Sequence, residues 1–131
     1  MNKASVDKYI PAAYQALKDA EIVQGGKIDP GFRGQIATFG AAVSMGSLLS
    51  AIAFFSEKDK SAVSRPKLLD ALFRILQSDG VDAKYQNLYQ YAAAHPDCQE
   101  QVLNAAIALK LAINLYPKRK TDKDSQQERT P

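Results

Sequence analysis

Five cationic side chains lie close together between positions 58 and 74, and their type and spacing suit contact with a phosphate backbone. They are Lys58, Lys60, Arg65, Lys67 and Arg74. Lys67 and Arg74 are seven residues apart, a spacing that returns both to one face of a helix. Three carboxylates, Glu57, Asp59 and Asp70, dilute the positive charge. The set predicts a phosphate-contacting strip or, as the alternative, a charge-mixed surface that is only solvated.

Arg33 is a sixth candidate for contact with a phosphate. It lies in the first turn of a predicted helix, where the helix macrodipole disfavours a cation, so its placement suggests a role for the side chain. The alternatives are a solvated arginine or an ion pair with Asp29. A basic run at 118–120 could add nonspecific affinity for nucleic acid, or simply complement the end of a last helix.

Residues suited to catalysis are scarce in this chain. The single histidine and the single cysteine, His95 and Cys98, lie near Asp97 and Glu100, but their spacing matches no familiar zinc site. The sequence has no nucleophile-elbow serine and no glycine-rich phosphate loop. We therefore predict that the protein is not an enzyme, that it holds no metal and no cofactor, and that His95-Pro96 ends a helix.

An uncharged polar and aromatic patch precedes that histidine. It consists of Tyr85, Gln86, Asn87, Tyr89, Gln90 and Tyr91. These rings could stack on bases or on a neighbouring subunit. Their helical spacing favours packing in the core and between subunits.

Composition bounds the fold and the setting. The chain has 131 residues, 46% of them hydrophobic and 24% charged, which suits one globular domain. The net charge is +3, but residues 1–116 carry twelve Lys/Arg against eleven Asp/Glu, so the body is nearly neutral. A lone cysteine and the lack of a secretory leader predict a reducing, cytoplasmic location.

The apolar periodicity predicts five helices and no β-strand. The first covers about 5–21, the second 30–56 with Asp29-Pro30 at its start, and the third begins after Ser64 and ends at Ser78-Asp79-Gly80. Asp82 is expected to cap the fourth, and the fifth runs from about 97 to 115. We assign 1–116 to one all-α bundle and 117–131 to a disordered basic and polar tail.

The second predicted helix is rich in small residues and uncharged over 34–56. Its glycines lower helix propensity by about 1 kcal/mol each relative to alanine, so tight packing or contact with a partner should compensate. We expect it to be the central helix of the bundle. The alternative is a membrane-spanning segment, for which its length is sufficient but its polar residues are unfavourable.

Three segments carry a resemblance to a known family. They are YIPAAYQAL at 9–17, FRGQIATFGAAVSMGSLLSAIAFF at 32–55 and RPKLLDALFRIL at 65–76. Together they resemble the small-subunit family of the Cmr-type (type III-B) CRISPR RNA-targeting effector complex. Phe32-Arg33 and Ala53-Phe54-Phe55 match the ends of the family's central helix. One departure is Ser47, which separates Gly46 from Leu48 where the family has glycine directly before leucine.

The resemblance implies a non-catalytic bundle that stacks beside the guide RNA and its target RNA, contacts other Cmr subunits and further copies of itself, and serves antiviral defence. Its cations would then read phosphates and not base sequence. Two other functions stay open. One is a stand-alone interaction module that binds a partner helix, and the other is a small membrane-associated protein built around 34–56.

Overall fold

The computed structural model describes residues 2–57 and 65–118, which form an all-α bundle of six helices and one very small hairpin. The first helix, α1, covers Lys3–Asp19 and begins at Asn2, whose side chain accepts a hydrogen bond from Ser5 N. The predicted helix at 5–21 is confirmed. Pro11 lies inside α1 on its exposed side. The buried stripe consists of Val6, Tyr9, Ala13, Ala16 and Leu17.

A short hairpin, with two residues in each strand, follows α1, and the prediction that the chain has no strand is wrong in this detail. Strand β1 (Val23–Gln24) pairs antiparallel with β2 (Lys27–Ile28). The turn needs left-handed backbone at both central positions, which Gly25 (φ 61°) and Gly26 (φ 75°) supply without strain. Strands this short show no alternation of apolar and polar residues, so the sequence pattern could not reveal them.

The hairpin also anchors the end of the domain. Ile28 N donates a hydrogen bond to Pro117 O at 3.0 Å, and Ile28 forms an isolated parallel bridge with Lys118. Pro117 and Lys118, the first two residues of the predicted tail, therefore contact the hairpin. The remainder of the predicted tail lies outside the described residues.

The long helix predicted at 30–56 is two helices, α2 (Phe32–Met45) and α3 (Leu48–Phe55). The break comes at Gly46-Ser47, because Ser47 begins a new helix with a capping box: Ser47 Oγ accepts from Ser50 N, and Ser47 N donates to Ser50 Oγ. The start of α2 also differs from the prediction. The Asp29 carboxylate accepts from Gly31 N within a turn, and the residue that caps α2 is Gly31.

The remaining helices follow the predicted order. Helix α4 covers Arg65–Ser78, and Gly80, whose φ of 98° is left-handed, follows its end within the predicted Ser78-Asp79-Gly80 segment. Helix α5 covers Leu88–Ala94; it is capped by Asn87 and not by Asp82, and it ends at His95 as predicted. Helix α6 covers Gln99–Ala112 and continues into a 3₁₀ turn at Ile113–Leu115.

The centre of the bundle is formed by α1, α4 and α6, which pack against one another. The small-residue segment is not central, because α2 buries only Phe32, Ile36, Phe39 and Val43. A methyl group added at Gly34 or Gly40 would meet no described atom within 4 Å beyond the backbone of α2 itself. These glycines therefore face open space and do not mediate close packing within the chain.

The segment 34–56, considered above as a membrane span, is divided between two helices, α2 of 14 residues and α3 of 8 residues. Across residues 2–57 and 65–118, no helix combines the length and the apolar character that crossing a bilayer requires.

Candidate nucleic-acid interface

Helix α4 separates the cations that the sequence grouped together. Arg65 and Lys67 are two residues apart and so differ by about 200° around the helix. The Arg65 guanidinium lies over the Phe54 ring of α3, 4.6 Å from its centroid. Lys67 Nζ points the other way and donates to Glu21 O, just after α1, at 3.2 Å. The predicted strip is therefore divided between two sides of α4.

Arg74 does lie on the same side of α4 as Lys67, but its charge is compensated. Its Nε donates to Asp70 Oδ2 at 2.9 Å, and both side chains are about half exposed. This hydrogen bond raises the pKa of Arg74, and the nearby carboxylates of Asp70 and Asp19 add to the effect. A carboxylate this close weakens the field that a phosphate would experience. Lys58 and Lys60 lie outside the described residues.

Arg33 is held outward at the start of α2 by its neighbour. Phe32 is completely buried, which fixes the first turn of α2 against the core, while Arg33 is exposed. Arg33 Nη1 donates to Asn114 Oδ1 at 3.1 Å, so the start of α2 lies beside the end of α6. Two separate elements therefore position this guanidinium.

Two further cations lie on backbone segments that adjoin the start of α2. Lys118, which is four residues after Asn114 in the chain, forms a backbone bridge with Ile28. The exposed Lys27 precedes Ile28 in β2. We call Lys27, Arg33 and Lys118 the basic corner. The sequence offered no signal for Lys27, because its proximity to the others depends on a backbone pairing across about ninety residues.

The aromatic patch forms a hydrogen-bonded cluster on the side of the bundle that includes α5. Tyr85 OH lies 3.0 Å from His95 Nε2, and the Tyr91 and His95 rings are 4.8 Å apart between centroids. Tyr91 OH donates to Gln101 Oε1 at 2.8 Å. The rings of Tyr85, Tyr91 and His95 pack against one another, with Tyr85 edge-on to the other two. Of Tyr85, Tyr89 and Tyr91, only Tyr89 is exposed.

The environment of Cys98, three residues after His95, does not activate its thiol. Cys98 is buried, and burial raises the pKa of its thiol, which disfavours the nucleophilic thiolate. In the part of the chain that the structure describes, no three His, Cys, Asp or Glu residues are grouped as metal ligands would be.

The same side of the bundle carries a partly buried charge contact that should make stability depend on pH. Tyr9 OH donates to Asp79 Oδ2 at 2.7 Å, and Lys8 Nζ contacts Asp79 Oδ1. The hydrogen bonds from Lys8 and Tyr9 lower the pKa of Asp79. Burial, with Asp79 adjacent, raises the pKa of Tyr9 to about 12, so its hydroxyl remains a donor at neutral pH.

We expect Asp79→Asn to lower the free energy of unfolding by about 1–2 kcal/mol at pH 7, since Tyr9 and Lys8 lose a charged acceptor. A lowered folded-state pKa means that the carboxylate stabilises the fold above its unfolded pKa of about 4. That stabilisation is lost as the pH falls through the lower folded-state value. Urea unfolding at pH 7, 5 and 3 should therefore show the difference shrinking with acid, whereas a difference independent of pH would contradict a role for the charge.

Comparisons with known proteins add no identification. Protein-family models, curated proteins and solved structures give no match for this chain. The functional assignment therefore depends on the residues and on their geometry.

Proposed function

We propose that this protein is a non-catalytic structural subunit of a type III-B CRISPR effector complex, located in the cytoplasm, that contacts the backbone of the guide RNA or target RNA. The observation that carries the proposal is the Phe32-Arg33 pair, in which a buried ring fixes the helix and the next residue presents a cation outward. A cation held in one position loses little entropy when it binds a phosphate. Such a cation suits contacts with phosphates, which position a protein on RNA without reading its sequence.

The distribution of charge supports the basic corner as the stronger RNA-contacting surface. Within it, Arg33 donates to the neutral side chain of Asn114. On α4, by contrast, Arg74 is paired with Asp70 and Lys67 donates to a backbone carbonyl. Since the body is nearly neutral, the isolated subunit should bind RNA weakly, and the contacts should matter within the assembled complex.

Co-expression tests membership of the complex. With an affinity tag on another Cmr subunit, the untagged chain should co-purify with the cognate subunits and guide RNA. Repeated failure with the complete cognate set would exclude the proposal. As a specificity control, Cmr subunits from an unrelated system should retain it poorly.

Two triple-alanine variants of the purified complex, matched in charge removed, locate the RNA contacts. One replaces Lys27, Arg33 and Lys118, and the other replaces Lys60, Arg65 and Lys67. We expect the first to reduce the slope of log affinity against log salt for target RNA by up to about 2–3, since each of three phosphate contacts contributes about 0.7–0.9. The second should have a smaller effect. If neither changes affinity or slope, these cations are only surface residues.

A second candidate function is the stand-alone interaction module, which the exposed apolar side chains favour. Met45 is 88% exposed, Phe54 51% and Leu115 58%. Scattered exposed apolar residues are normal, but a continuous apolar groove also lies between α2 and α6. A protein that purifies with a partner but never with Cmr subunits would favour this function.

A further inference from the structure

The groove between α2 and α6 has the form of a site for a helix. Its volume is about 530 Å³, and it is open to solvent along its length. The α2 wall presents the small residues Ala37, Gly40 and Ser44 beside the buried Ile36, and the α6 wall includes Leu103 and Ile107. These residues recur at spacings of three, four and seven, so each wall is one helix face. Small residues let a neighbouring backbone approach closely.

The floor of the groove holds one polar side chain, Asn104. Asn104 is only 5% exposed and lines the groove. Its Oδ1 accepts from Asn2 N at 3.2 Å, while its Nδ2 donates to no atom among residues 2–57 and 65–118. An occupant that covers the groove would remove water from this amide, so a side-chain acceptor facing it would be favoured.

The two ends of the groove carry opposite charges. Because Arg33 contacts Asn114, α2 runs antiparallel to α6, with Gln99 and Glu100 at one end of the groove and Lys110 at the other. Neither Glu100 nor Lys110 forms an ion pair within the described part of the chain. An ordinary helix favours acidic residues in its first turn and basic residues in its last. Such a helix complements both ends only if it runs antiparallel to α6.

We propose that this groove binds one amphipathic helix of a partner protein, antiparallel to α6, with its acidic first turn at Lys110, its basic last turn at Glu100 and a side-chain acceptor facing Asn104. The protein's own C-terminal segment does not suit the groove, because residues 119–131 contain no large apolar residue. A second copy of the same concave face would not fill it. The proposal goes beyond the RNA-contacting role and holds whether or not that role is correct.

The probe is a synthetic 14-residue peptide, matched in length to α6 and held helical by a hydrocarbon staple on its outward face. It carries Glu in its first turn, Lys in its last, Leu and Ala along the inward stripe, and a central inward Gln. A second peptide exchanges the Glu and Lys residues. Binding to the full-length protein is measured by fluorescence anisotropy, and the site is mapped by amide chemical-shift changes.

We expect the first peptide to bind with a Kd of about 100 µM or tighter, shifting amides of Ile36–Ser44 and Gln99–Lys110. The charge-exchanged peptide should bind at least about threefold more weakly, as expected for two exposed ion pairs. Equal binding of the two peptides would overturn the proposed orientation. No binding at about 1 mM, or shifts elsewhere on the protein, would overturn the site.

Gly40→Leu should block the groove without harming the fold, since a Cβ there meets nothing within 4 Å. Peptide affinity should fall at least about tenfold while the melting temperature stays equal or rises. Gly34→Leu is the matched control, because Gly34 also has open space around it but does not line the groove. The peptide should bind this variant with the same affinity as the wild type. Equal binding by Gly40→Leu would overturn the proposal. The proposal would also be overturned if sedimentation showed a dimer that Gly40→Leu dissociates and Gly34→Leu does not. That result would assign the groove to a second copy of the chain.

Discussion

Replacing Phe39 by alanine should lower the free energy of unfolding by about 3–5 kcal/mol, the usual cost of emptying a buried phenylalanine site. Phe39 is completely buried on α2, and its ring packs edge-to-face on Phe55 of α3 with centroids 5.3 Å apart. Because a turn at Gly46-Ser47 separates α2 from α3, this pair helps to fix the angle between the helices. Urea unfolding followed by circular dichroism measures the loss.

The matched control is Phe54→Ala, one residue before Phe55. Phe54 is half exposed and packs beneath the Arg65 guanidinium, so its removal should cost about 1 kcal/mol or less. If the two variants lost the same stability, the Phe39–Phe55 contact would not be part of the core. A large loss for Phe54→Ala alone would instead make its contact with Arg65 the principal link between α3 and α4.

The helices that the sequence predicted well have apolar stripes bounded by clear end signals. In α1 and α4, large apolar residues recur at spacings of three and four residues. Gly80 follows the end of α4 with the left-handed backbone that glycine favours. The 32–55 segment lacked such contrast, because small residues occupy most of its circumference. Periodicity there could not tell one helix from two, and the local capping energy of Ser47 decided the outcome.

The candidate interface was less accessible to sequence reasoning, for two different reasons. The helical period alone separates Arg65 from Lys67 on α4, so this part was open to prediction. The basic corner was not, because it depends on the bridge between Ile28 and Lys118 and on the hydrogen bond between Arg33 and Asn114. Contacts between residues so distant in the chain leave no local pattern.

Close packing of small residues occurs in this protein, but between α1 and α6 and not in α2. Three alanines on one face of α6, Ala105, Ala108 and Ala112, are completely buried, and α1 buries Ala13 and Ala16. Two further contacts join these elements: Asn2 N donates to Asn104 Oδ1, and Tyr116 OH donates to Tyr14 O at 2.6 Å. The short side chains leave little room for additional atoms.

Ala108→Leu should therefore lower the free energy of unfolding by about 1–3 kcal/mol, because extra carbon atoms must displace packed neighbours or adopt unfavourable rotamers. The same substitution at Ala41, which is exposed on α2, adds the same atoms to a solvated position and should change stability by about 0.5 kcal/mol or less. Parallel urea unfolding of the two variants compares them directly. A larger loss of stability for Ala41→Leu would show that the close-packed small residues lie on α2. A loss confined to Ala108→Leu identifies α6 as the central helix of the bundle.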